Sequence, residues 1–288
     1  MYLRKLFQDI ALLKKDSLWS LEQKYSLMYS YIANTILFKI ARRRGYEKHL
    51  FRFLGKKVFS ISPDNFLLIF REVFIQGHYS IPALSVERKN TLRILDAGAN
   101  IGMTAIYFKA IFPNAHVIAF EPSPHTAKIL KQNIEENKLR NVEVVEAALS
   151  ASTGSIELQD DHSNPGRSTT TRSIYEAKSG NYTATTVNAV RLSKYVGECS
   201  DILKMDIEGG ESVVLNELVE SGALSRVRFI VFEFHLPPGK STESFSEIET
   251  LLNNHEFCLE RLHEDWIHPG NPVGGGHFII RATNKLFL

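Results

Sequence analysis

From residue 91 onward the chain alternates between short, nearly continuous apolar runs and stretches whose apolar residues recur at helical spacing. The runs are Arg93–Ala97, His116–Phe120 and residues 142–149, 202–207 and 228–234. Runs of this kind are buried on both faces, as in a parallel sheet flanked by helices. Between them, residues 101–112 form a helical stretch that stops at Pro113. Ser123 and Pro124 supply the N-cap and first turn of a helix reaching Asn137. Residues 211–220 stop near Gly222, and residues 241–254 place Phe245, Ile248, Leu251 and Leu252 on one helical face. The pattern predicts a doubly wound α/β domain with a mostly parallel sheet over residues 91–288. Only between residues 150 and 190 does the alternation fail. There 155–159 and 184–188 read as strands inserted around a polar loop, and 164–171 is a candidate lid.

Residues 1–90 follow other rules. Leu3, Leu6, Phe7, Ile10 and Leu13 recur at helical spacing, as do Ala33, Ile36, Leu37 and Ile40. Residues 45–90 mix aromatic runs with Gly55, Pro63, Gly77 and Pro82, a lead-in of short strands and helices. This segment is predicted as a mainly helical N-terminal cap. Charge separates it from the rest: residues 1–57 hold 13 Lys and Arg against 4 Asp and Glu, the remainder 21 against 28. A basic, partly amphipathic head suits peripheral contact with anionic lipid, although a solvated helical face has the same composition. The acidic balance of the larger part is unsuited to gripping phosphates, so no nucleic-acid partner is expected. Asp9, Lys14 and Lys15 interrupt the first apolar stretch and predict no export signal. Residues 27–40 contain Asn34 and Lys39 and fall short of a membrane span. With only two cysteines, Cys199 and Cys258, the expected compartment is the reducing cytoplasm.

Candidate chemistry collects at the ends of the apolar runs. Ile94-Leu95-Asp96-Ala97-Gly98-Ala99-Asn100-Ile101-Gly102 places two glycines between a buried strand and a helix. Gly98 lets the backbone approach a ligand, Gly102 permits close packing at the helix start, and Asp96 can accept from an ammonium group or orient the turn. The next run ends in Phe120-Glu121-Pro122, and a carboxylate there can grip both hydroxyls of a ribose. A dinucleotide turn reads G-x-G-x-x-G to admit a pyrophosphate. Here Asn100 replaces the middle glycine, which favours an adenosyl sulfonium over a nicotinamide dinucleotide. Asp206, Glu208, Glu233 and His235 end the two later runs and should open on the same crevice, because ligands of open α/β sheets bind beyond the carboxyl ends of the strands. Alternatives stay open: a helix-start carboxylate for Glu208, a solvated turn for His235.

The combination LDAGANIG, VIAFEPSP, LKMDIEGGE and VFEFH resembles the FkbM-type methyltransferases, in the same order and with similar intervals, over about residues 70–282. The resemblance implies a Rossmann-like methyltransferase fold, S-adenosylmethionine as donor and O-methylation of a sugar, glycan or secondary-metabolite hydroxyl. By position it implies that Asp96, Gly98, Asn100, Gly102, Glu121 and Asp206 line the cofactor, with Glu208, Glu233 and His235 facing the acceptor. His235 is the expected general base, since an ordinary imidazole, of pKa ~6.5, is mostly neutral at pH 7. Asp206 and Glu208 alternate to one side, but no His or Cys cluster accompanies them and no metal is predicted. Two rival readings are a nicotinamide-dependent oxidoreductase on the same fold and a catalytically silent cofactor-binding protein that docks through its basic head.

Overall fold

Val, Ile, Leu and Ala fill the central runs, and β-branched residues that pack on two faces form strands when helices cover both sides. The computed structural model describes residues 9, 11–13, 18–42, 49–60, 63–87, 90–161, 168–169, 182–236, 243–265 and 276–288. In chain order its main elements are α1 (Leu21–Arg42), β1 (His49–Phe53), β2 (Lys56–Ser60), α2 (Pro63–Phe70), β3 (Arg93–Ala97), α3 (Met103–Ile111), β4 (His116–Phe120), α4 (Pro124–Glu136) and β5 (Val142–Val145). There follow β6 (Ala148–Leu149), β7 (Gly154–Asp161), β8 (Ser168–Thr169), β9 (Tyr182–Val190), β10 (Ser200–Met205), α5 (Glu211–Glu220), β11 (Val227–Leu236), α6 (Glu243–Asn254), β12 (Phe257–Asp265) and β13 (Gly276–Asn284).

Seven strands form one sheet in the order β12-β13-β11-β10-β3-β4-β5. Strands β5, β4, β3, β10 and β11 run parallel, while β13 is antiparallel to both β11 and β12. This is the doubly wound Rossmann-like architecture. The insertion between β5 and β10 is a separate four-stranded sheet, β6-β9-β7-β8. The candidate lid at 164–171 lies outside the described residues except for β8.

The two faces of the central sheet carry different cores. On one, Leu95, Ile118, Leu203 and Ile230 pack with α5 and α6 through Leu215 and Ile248. On the other, Ile94, Val117, Ile202 and Phe229 are continuous with the buried residues of the N-terminal segment. That segment contributes an aromatic stack in which Phe53, Phe70 and Phe74 meet Trp19 and Tyr107, with Phe70 and Phe74 5.3 Å apart and Phe74 edge-on to Tyr107 at 5.6 Å. Helix α3 is consequently buried all round, because the head covers the side that would otherwise face water.

A π-helical stretch, Arg71–Gln76, leads from α2 to Gly77, whose φ of +68° turns the chain toward the sheet. Ion pairs act both within the head and between it and the sheet. Arg71 chelates the buried Asp9 carboxylate, and Arg228 of β11 grips both oxygens of Glu87 at 2.9 and 2.8 Å. Such a bidentate pair contributes about 1 kcal/mol when partly exposed.

The Arg228 hydrogen bonds hold the Glu87 carboxyl below its usual range. A carboxyl depressed in the folded state stabilises the fold above its unfolded pKa, and this is lost as pH falls through the folded value. Arg228→Ala is therefore expected to cost about 1 kcal/mol at neutral pH. Its deficit in thermal unfolding should shrink toward zero as pH falls below about 4; a deficit independent of pH would disprove the assignment.

Candidate active site

Past Ala97 the chain must turn through a space narrowed by the neighbouring strand. Gly98 has φ +76°, and a Cβ there would lie 1.8 Å from the Asp206 carbonyl oxygen. Only glycine fits both the conformation and the gap. Asn100 follows at φ +51°, a conformation asparagine tolerates better than most side chains. Each backbone N–H from 98 to 102 is used inside the protein. Gly98 and Ala99 donate to the Phe120 carbonyl at 3.1 and 2.9 Å, and Gly102 donates to the Ala99 carbonyl at 2.9 Å. Asn100 donates to Glu121 Oε2 at 3.0 Å and Ile101 to Asn100 Oδ1 at 2.8 Å.

Glu121 is buried at the tip of β4 and its other oxygen, Oε1, accepts the Ser123 N–H at 2.9 Å. The Ser123 hydroxyl makes no capping hydrogen bond to α4. Ser123 and Pro124 start the helix where the sequence indicates, but Ser123 contributes its backbone N–H to Glu121. Gly102, at φ +91°, would put a Cβ 2.7 Å from Leu130 Cδ1 and so serves the packing of the turn on α4.

The turn after β10 is held by the same device. Glu211, almost wholly buried, accepts the backbone N–H of Ile207 at 3.3 Å and of Gly209 at 3.2 Å. Glu208 and Gly209 between them have φ +55° and +104°. A glutamate in that region costs of order 1 kcal/mol and is held there by its surroundings.

Beneath both turns lies a lysine. Lys204, 1% exposed, sends its ammonium to the carbonyls of Ala97 at 3.1 Å and Gly98 at 2.7 Å, with Asp96 Oδ1 at 3.4 Å. Asp96 Oδ2 accepts from Thr104 Oγ1 at 2.5 Å. The Lys204 ammonium also sits 5.3 Å from the centre of the Tyr79 ring. Tyr79, carried in from the head, donates its hydroxyl to Asp206 Oδ2 at 3.2 Å. Burial pushes the Tyr79 phenol well up, and the negative charges of Asp206, Glu233 and Glu72 add to the effect, so the hydroxyl remains a donor.

A cavity of about 650 Å³, including its open mouth, lies over these turns. Gly98, Asn100, Glu121, Asp206 and Glu208 line its polar side; Phe120, Ala148, Leu149 and Leu158 give it an apolar wall. The insertion thus closes the cavity through β6 and β7. Of the other residues that the sequence assigns to the site, Asp96 has no exposed surface and lies behind the turn, where the ammonium it meets is that of Lys204. Gly102 stands outside the lining, against Leu130. Glu233 lies half-buried on β11. His235 is placed by its backbone, paired with His277 near the end of β11; its side chain lies outside the described residues. Among the described residues no three His, Cys, Asp or Glu side chains converge to hold a metal ion.

The family model "Methyltransferase FkbM domain" matches residues 96–259, from the end of β3 into the start of β12. The chain belongs to the FkbM methyltransferase family. Methyltransferase sdnD of Sordaria araneosa is 31% identical over 237 residues, covering 72% of this chain and 88% of that protein. Methyltransferase 1 of Beauveria bassiana is 27% identical, covering 70% and 84%. Among solved structures the likeness is loose. P. horikoshii TYW2 in complex with MeSAdo aligns at 15% identity and a TM-score of 0.42, covering 89% of this chain and 84% of that chain.

In this methyltransferase three contributors to the site are not apparent from the motifs. Lys204 reads as one more strand residue, Tyr79 lies far upstream, and Glu211 reads as a helix-start carboxylate. Lys204 carried a signal all the same: a lysine within a run buried on both faces requires a buried anion. Lys204→Met leaves the Asp96 carboxylate buried without its cation, and the expected cost in denaturant unfolding is about 3–5 kcal/mol. Adding Asp96→Asn should restore a large part of that loss. Strictly additive costs in the double variant would refute the coupling.

Proposed function

We propose that this chain uses S-adenosylmethionine to methylate a hydroxyl of a sugar, glycan or secondary metabolite. The observation that carries the choice of cofactor is the complete internal use of the N–H groups from 98 to 102. A dinucleotide turn offers such groups to a pyrophosphate. This turn has none left to offer, which favours a cofactor recognised through a carboxylate and apolar contact. The residues present fit an adenosyl group. Glu121 lines the cavity with its carboxylate anchored through both oxygens to the backbone, and a carboxylate so placed is an acceptor for the ribose hydroxyls. The wall formed by Phe120, Ala148, Leu149 and Leu158 suits a purine face.

S-adenosylmethionine, when bound, supplies a methyl group already activated by its sulfonium. The protein then has chiefly to align the acceptor hydroxyl with that methyl, and alignment of this kind is worth roughly 7–11 kcal/mol. Gly98, Asn100 and Glu121 hold the donor side. Asp206, hydrogen-bonded by the Tyr79 hydroxyl, would join them on the donor side, and Glu208, Glu233 and His235, at or near the ends of adjacent strands, would face the acceptor. His235 would take the hydroxyl proton as the methyl passes from sulfur to oxygen and the thioether S-adenosylhomocysteine is left, a contribution of typically 10²- to 10⁴-fold in rate.

Calorimetry and thermal unfolding test the cofactor. S-adenosylmethionine and S-adenosylhomocysteine should both bind and raise the melting temperature, NAD should do neither, and Glu121→Ala should abolish the effect. Indifference to both sulfur nucleosides would overturn the reading. With labelled donor and fractionated extract, mass spectrometry should find the methyl on oxygen; a methylated nitrogen or carbon would overturn that part. Once an acceptor is in hand, His235→Asn should lower kcat by roughly 10²-fold or more with little change in cofactor affinity.

A further inference from the structure

Helix α1 is apolar on the side that faces away from the protein. Its inner face is accounted for: Leu27, Ser30 and Asn34 are buried against the head. Its outer face carries Leu21, Tyr25, Tyr29, Ile32 and Ile36, exposed by 73, 71, 75, 39 and 56%. At the α-helical repeat these five fall within an arc of about 80°, and the stripe they form runs for roughly 22 Å. A helix lying on a globular protein normally turns polar residues to water. A continuous apolar stripe there marks an interaction surface.

Composition identifies the surface it fits. Lys14 and Lys15 precede the helix, and Lys39, Arg42, Arg43 and Arg44 follow the stripe; residues 1–57 carry 13 basic against 4 acidic residues. Packing α1 on the α1 of a second copy would bring two such heads together, like charge on like. An anionic bilayer answers both features, because its interface accepts tyrosine rings and short aliphatic side chains while its headgroups attract the flanking cations. Among the described residues no helix is long and apolar enough to cross a membrane. We propose that the outer face of α1 seats this methyltransferase on anionic membrane surfaces, with the helix lying in the plane of the headgroups.

Cosedimentation of the full chain with vesicles tests this. Binding is expected to vesicles of phosphatidylglycerol and phosphatidylcholine but not to phosphatidylcholine alone, and should fall as salt is raised. Tyr29→Ser with Ile32→Ser should weaken partitioning about tenfold or more, at an unchanged melting temperature. Ile36→Glu, at the other end of the stripe, repeats the test independently. Failure to bind the anionic vesicles, equal binding to both kinds, or undiminished binding by both variants would overturn the proposal. So would a wild-type dimer in sedimentation velocity that both variants lose, which would assign the stripe to a second copy. None of these readouts depends on cofactor or acceptor, so they stand apart from the test of the catalytic reading.

Discussion

The site rests on one buried cation. Lys204 joins the ends of β3 and β10 by holding two successive carbonyls of the glycine turn and the Asp96 carboxylate. Taking a lysine and an aspartate out of water costs several kcal/mol per ion, and apolar replacements of equal volume often match or exceed such a pair in stability. Stability alone therefore gives a poor account of it. Geometry gives a better one. With the Ala97 and Gly98 carbonyls pinned downward, the N–H groups of Gly98 and Ala99 point across to the Phe120 carbonyl, and the turn has one arrangement. The backbone is set before any ligand arrives, which is what a transfer reaction dependent on alignment requires.

Glu121 and Glu211 extend this rigidity with a common device. Each is buried, and each gathers two backbone N–H groups of a turn at the carboxyl edge of the sheet. Charge-assisted bonds of this kind are about twice as strong as neutral ones. They also remove those N–H groups from the repertoire of the site. The cavity over these turns is lined by the carboxylate residues Glu121, Asp206 and Glu208, by Asn100 and by an apolar wall.

How much of this the sequence discloses depends on the range of the interaction. Strand runs, helix limits and the glycine turn are legible because each is encoded by neighbours in the chain; α4 runs Pro124–Glu136 and stops at Asn137, where its pattern ends. The positions of Glu121 and Asp206 follow from the rule that ligands meet the carboxyl edge. Roles set by distant partners are hidden. Asp96 reads as a cofactor contact because nothing local shows that Lys204, more than a hundred residues later, already occupies it. Tyr79 is hidden for the same reason, as is the use of the Ser123 backbone N–H to fasten Glu121 while its hydroxyl makes no cap. A local motif names the position, and tertiary packing decides what the atom there does.

The N-terminal segment shows what the motifs omit. It has none of the family's signatures in its first seventy residues, yet its aromatic stack shares a core with one face of the central sheet, and one chain of packed rings, Phe70, Phe74 and Tyr107, joins it to α3. The π-helical stretch and Gly77 then deliver Tyr79 to Asp206. Removing the head would expose the buried flank of α3 and leave Asp206 without its hydroxyl donor. The head therefore belongs to the catalytic fold on its inner side, whatever its outer side meets. Packing explains Leu27 and Asn34 on the inner face of α1; it does not explain Tyr25, Tyr29 or Ile36, which the fold could replace with polar residues at little cost. Side chains that folding leaves free to vary, and that are nonetheless apolar in register over four turns, point to a requirement outside the fold.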